Sequence, residues 1–68
     1  MYNKPKWTAN IVKRMWENNI KRKDIAAEMG CSVQYIGKLF NGQKTPQDAE
    51  DRIANALSAI IERRKLED

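Results

Sequence analysis

The stretch from Lys21 to Gly42, KRKDIAAEMGCSVQYIGKLFNG, constrains this chain more than any other. Ile25, Ala26 and Met29 share one helical face, and Gly30 follows at once, where a left-handed residue would end the helix. Ser32 then offers a side-chain oxygen to the free backbone donors of a second helix. In that helix Val33, Ile36, Leu39 and Phe40 form an apolar stripe, and Asn41-Gly42 closes it. Two short helices joined by about three or four residues have no room to run antiparallel, so they cross steeply about the turn.

The flanking segments read as support. Thr8 is suited to cap a first helix running from about Ala9 to Asn18, with Trp7 and Val12 spaced as a hydrophobic staple. Ile11, Val12, Met15 and Trp16 make its expected inward face. An aromatic such as Trp16 can also be a base-stacking platform, but helical spacing assigns it to the core. Further on, Thr45 reads as a cap, Pro46 as a first helical residue and Asp48 as a capping-box acid. They predict one helix from Pro46 to about Lys65, with Ser58 as the alternative place for a break. Its stripe is Ile53, Ala56, Leu57, Ile60 and Ile61, extended by Leu66. The stripe is long for so small a domain, so Ile60, Ile61 and Leu66 are assigned to contact with a second subunit.

A chain of 68 residues makes a single domain, near the size below which a core no longer suffices. Cys31 is the only cysteine and there is no histidine, which excludes a disulfide and the usual zinc sites. Subunit association is the remaining source of stability. Nothing fixed and cationic is expected beside Cys31, so it reads as inert rather than redox-active. Mean hydropathy is −0.79, no apolar run approaches the length of a membrane span, and residues 1–7 do not lead into a signal peptide. A cytoplasmic location is the expectation.

The net charge of +4 is unevenly placed. Through Pro46 nine Lys/Arg face three acids; beyond it four face six. The basic half is the half that contains the crossed helices, which is where a polyanion would bind. Lys21, Arg22 and Lys23 gather at a helix N-terminus, against its dipole, as though an anion sat there; Asp24 offsets this in part. Residues 1–6 read as a flexible basic arm, from which Lys4 and Lys6 could reach phosphate.

On a helical wheel Gln34, Lys38 and Asn41 lie opposite the apolar stripe of their helix. That face is polar and weakly charged, which suits a major groove: a Gln amide pairs with adenine N6 and N7, and a Lys donates to guanine O6 and N7. Val33, in the first turn, is placed to pack on a thymine methyl, and Tyr35 flanks the face. Gly37 costs roughly 1 kcal/mol in a helix interior. Two readings of it stay open: close approach of DNA, or relief of crowding against a neighbouring helix.

These residues together resemble the helix-turn-helix of the lambda repressor and Cro family. The likeness lies in Ala26 of the first helix, Gly30 of the turn, Ile36 inside the second helix and the closing LFNG of Leu39 to Gly42. With the flanking helices it covers most of the chain. The resemblance implies an all-α fold, a compact four- to five-helix bundle that binds operator DNA, usually as a homodimer. It implies phosphate contact at the N-terminus of helix two, where Arg22 stands at a position frequently held by Gln. It places base reading at Val33, Gln34 and Tyr35, with Lys38 one turn later, and backbone contact in the loop at Lys44.

The expected function is sequence-specific binding of double-stranded DNA by a phage or prophage-type repressor. Val33, Gln34, Tyr35 and Lys38 would read bases, and Lys21, Arg22, Lys23, Asn41 and Lys44 would hold phosphates. The alternatives are a protein-interaction adaptor of the antirepressor or antitoxin kind, and a DNA-architectural accessory of recombination. Catalysis has no support: no histidine, no Gly-rich phosphate loop, and carboxylates mostly at helix ends, where capping explains them. No cofactor, metal or small-molecule ligand is implied.

Overall fold

Left-handed residues at three helix ends set the course of the chain. The computed structural model describes residues 3–67, which form α1 (Thr8–Glu17), α2 (Arg22–Met29), α3 (Val33–Asn41) and α4 (Ala49–Glu67), with no strand. After α1, Asn19 takes φ 54°, the Ile20 N–H donates to the Met15 carbonyl at 2.8 Å, and the Asn19 N–H donates to the Trp16 carbonyl at 3.3 Å. This pairing satisfies carbonyls that a helix end leaves free and turns Ile20 into the core. Gly30, at φ 71°, ends α2 in the same way: the Cys31 N–H reaches the Ala26 carbonyl at 3.0 Å. Gly42, at φ 85°, follows α3.

Helix starts are capped from within the sequence. The Lys21 N–H donates to Asp24 Oδ2 at 2.8 Å, half of a capping box, so Asp24 offsets the cations around it. Ser32 caps α3 as expected, its Oγ accepting from the Tyr35 N–H at 3.1 Å.

α2 packs on α3 and α4, and α1 packs chiefly on α4. Ile25 of α2, Ile36 and Leu39 of α3, and Ile53 and Leu57 of α4 are fully buried where these helices meet. Each such side chain contributes roughly 1.5–3 kcal/mol by leaving water. The fold is a compact all-α one, as the sequence predicts.

Several local expectations are corrected. The buried edge of α1 is narrow: Ile11 and Met15 are buried with Thr8, but Val12 is 47% exposed and Trp16 is 83% exposed. On a wheel Trp16 lies roughly 100° from the centre of that edge. α4 sits on the other flank, where Arg14 reaches Ser58 Oγ at 3.3 Å. Trp7 stacks at a tilt on Phe40, with centroids 6.0 Å apart, rather than stapling to the half-exposed Val12. Thr8 is the first helical residue, not the cap, and its hydroxyl donates to the Pro5 carbonyl at 2.7 Å.

α4 is continuous through Ser58 and begins at Ala49 instead of Pro46. The Pro46 carbonyl accepts from the Ala49 N–H at 3.1 Å, which makes residues 46–48 a turn ahead of the helix and leaves Thr45 outside it. Ile60 does not belong to a subunit surface. It is 5% exposed in the monomer core, Ile61 packs partly against that core, and Leu66 is 87% exposed. The reason is the placement of α2, whose Asp24, Ala27 and Glu28 run beside the last turns of α4.

That end of α4 is held by charge. Arg64 Nη1 donates to the Asn18 carbonyl at 2.5 Å and the Asn19 carbonyl at 3.3 Å, and Nη2 lies 3.9 Å from Asp24. Arg63 pairs with Glu28, whose hydrogen bond and charge raise the guanidinium above its ordinary value.

Candidate nucleic-acid interface

The outer face of α3 is assembled by its own helical pitch and by what α2 lays beside it. Gln34, Lys38 and Asn41 share a shallow pocket with Arg22 from the first turn of α2, Phe40, Gly37 and Lys4. Arg22 is held in place: its guanidinium carbon lies 5.1 Å from the centroid of the Phe40 ring. Such a cation–π contact orients an arginine without neutralising it.

The electrostatics of this side differ from those of the opposite one. Among the described residues the ion pairs are Arg63–Glu28, Arg64–Asp24 and Lys65–Glu62, all made by α4. None of them uses Lys4, Lys21, Arg22, Lys23, Lys38 or Lys44. The ion pairs of the described residues are made by α4, and the cations around α3, in none of these pairs, remain available to an external anion.

The nine residues expected to meet DNA are therefore not equivalent in place. Arg22, Gln34, Lys38 and Asn41 are brought together in one pocket. Asn41 also works locally, its Oδ1 accepting from the Gln43 N–H at 2.9 Å, which leaves the amide nitrogen as a donor. Lys21 and Lys23 are exposed on either side of Arg22. Val33 is half exposed at the start of α3. Tyr35 is partly buried against the core, so only part of its ring faces outward. Lys44 is exposed in the loop, its N–H donating to the Lys38 carbonyl at 3.2 Å, which fixes the loop to the end of α3.

Three members of this site take a place in it that the sequence left unread, for Phe40, or open, for Lys4 and Gly37. Phe40 reads only as core, yet it is also the platform for Arg22. Lys4 lies far away in sequence and reaches the pocket by folding back. Gly37 is the third. A Cβ built there would meet only Arg22 Nη1, at 3.7 Å, which is ordinary contact with a flexible side chain. No neighbouring helix crowds it, so relief of packing does not explain the glycine.

No helix among the described residues is long and apolar enough to cross a membrane, and they contain no cluster of groups that could hold a metal ion. Compared with known protein families, the chain matches the helix-turn-helix model over residues 13–58, which spans α2 and α3 entirely and parts of α1 and α4. No curated protein and no solved structure matched the chain.

Proposed function

The chain belongs to the lambda repressor/Cro-like helix-turn-helix family, and from that membership we propose that it is a repressor of the phage or prophage type, inserting residues 32–41 into the major groove of its operator. Binding of double-stranded DNA in transcriptional regulation is the work of this family. The observation that carries the finer reading is the convergence of Arg22, Gln34, Lys38 and Asn41 on one face, with no acidic partner for either cation among the described residues. Phosphate contacts from Lys21, Arg22, Lys23, Asn41 and Lys44 set register, and Gln34 and Lys38, flanked by Val33 and Tyr35, read base edges. Two copies pair on the duplex, which sets their reading helices about 34 Å apart. Leu66, broadly exposed, and Ile61, partly exposed, are the residues left for that contact.

In vitro selection of bound duplexes tests this. Wild type should return a two-fold symmetric motif, and Gln34→Ala should lose preference at one base pair in each half-site, by roughly 1–3 kcal/mol. A Gln34→Ala protein that selects the wild-type motif unchanged removes Gln34 from base reading.

A protein-interaction module on the same fold is the second reading, favoured by Val12 and Trp16, which are exposed four residues apart on α1. It predicts little affinity for random duplex at about 50 mM salt, where the electrostatic part of DNA binding is strong. A gel shift under those conditions separates the two.

A further inference from the structure

We infer that Gly42 is a positioning residue: the space left by its missing side chain holds the Asn3–Lys4 segment against the end of α3, and so makes Lys4 a fixed contact to the DNA backbone. This deepens the reading of α3 as the DNA-binding helix and rests on it.

Gly42 has two separate reasons to be glycine. One is its backbone, at φ 85°, which any helix ending of this kind favours. The other is not a property of helix endings. A Cβ at Gly42 would overlap the Asn3 carbonyl oxygen and lie 2.9 Å from its carbon and 3.5 Å from the Asn3 nitrogen. The chain near its start thus lies directly on the residue that closes α3.

Two further contacts hold the segment that follows. The Pro5 carbonyl accepts from both the Thr8 N–H at 3.1 Å and the Thr8 hydroxyl at 2.7 Å, and Trp7 rests on Phe40. Together these bring Lys4 into the pocket of Arg22, Gln34, Gly37 and Lys38, and into the adjoining groove of Thr8, Val12 and Phe40. A third cation is thereby placed beside two others, with no acid paired to any of them among the described residues. Packing of Trp7 and the backbone contacts hold it there against charge repulsion. Such an arrangement is favourable once an anion occupies the pocket, and a phosphate of the duplex is the anion this helix would meet.

The test separates the backbone reason from the spatial one. Asn tolerates a left-handed backbone, as Asn19 does here at φ 54°, so Gly42→Asn keeps the helix ending while its Cβ displaces Asn3. Duplex affinity is measured between 50 and 200 mM salt for wild type, Lys4→Ala, Gly42→Asn and the double variant. Each single variant should lower the salt slope by about 0.9, so that the affinity lost across this range is about 3.5-fold smaller than for wild type. The double variant should match the singles. A wild-type slope in Gly42→Asn, or additive losses in the double variant, overturns the inference. In wild type itself, proton NOEs should connect Asn3 with Gly42, and their absence also overturns it, whether or not Gly42→Asn folds. A wild-type protein with no salt-dependent duplex binding at all would instead sink the DNA reading, and the role of Lys4 with it.

Discussion

Gly37→Ala should make this protein more stable and a poorer DNA binder. An alanine in a helix interior is favoured over glycine by roughly 0.8–1.0 kcal/mol, from the smaller loss of backbone entropy. Usually a buried or crowded site cancels that gain. Here the added Cβ would meet only Arg22 Nη1, at 3.7 Å, an ordinary van der Waals contact that requires nothing to move. The gain should therefore appear nearly whole, as a rise in thermal midpoint of about 4–8 °C per kcal/mol in a domain of this size. The same methyl would stand in the pocket between Arg22, Gln34 and Lys38, where a DNA strand approaching α3 would come closest to its backbone. A methyl that pushed Gln34 or Lys38 off its base edge would weaken duplex binding by about 1–3 kcal/mol. Thermal denaturation followed by circular dichroism and a fluorescence-anisotropy titration at fixed salt measure the two effects on one preparation. A fall in stability would mean that the space around Gly37 is not as described. A rise in stability with unchanged affinity would remove Gly37 from the DNA contact.

Two other substitutions test the packing beneath the site. Trp16→Ala should change stability by less than about 1 kcal/mol, since so exposed a ring has little burial to lose and alanine is the better helix former, whereas a core tryptophan costs about 3–5 kcal/mol. Urea denaturation reads this directly, and a loss above about 2 kcal/mol would place Trp16 in a core after all. Arg64→Ala should lower stability by about 1 kcal/mol, because its charged hydrogen bonds to the Asn18 and Asn19 carbonyls are partly screened by solvent. Hydrogen exchange should show the Ile20 amide losing protection in that variant; unchanged protection would mean that Arg64 does not hold the end of α1.

The residues that proved legible are those whose role depends on neighbours a few positions away. Gly30 and Ser32 bound the turn because a left-handed ending and an N-cap are local events, and both are seen where the sequence puts them. Ile25, Ile36, Leu39, Ile53 and Leu57 follow helical period into the core for the same reason. Val12 and Trp16 did not, because period gives the direction of a side chain but not the width of the face a neighbouring helix covers. α4 packs on one flank of α1 and leaves the other to water. Ile60 errs in the opposite sense: assigned to a second subunit, it is covered within the monomer core beside α2, while Leu66 stays exposed.

The sequence by itself determined the order of the helices, the turn between α2 and α3, most core positions of α2, α3 and α4 and the polar outer face of Gln34, Lys38 and Asn41, since all of these follow from spacing along one chain direction. Tertiary structure alone decided which cations share that face. Arg22 joins it because Phe40, a core residue of α3, presents its ring to the start of α2. Lys4 joins it because Trp7 rests on Phe40 and Gly42 leaves room for Asn3. Contacts between residues 18 to 39 positions apart leave no periodic trace, and here they are what turns a basic half-chain into a defined site.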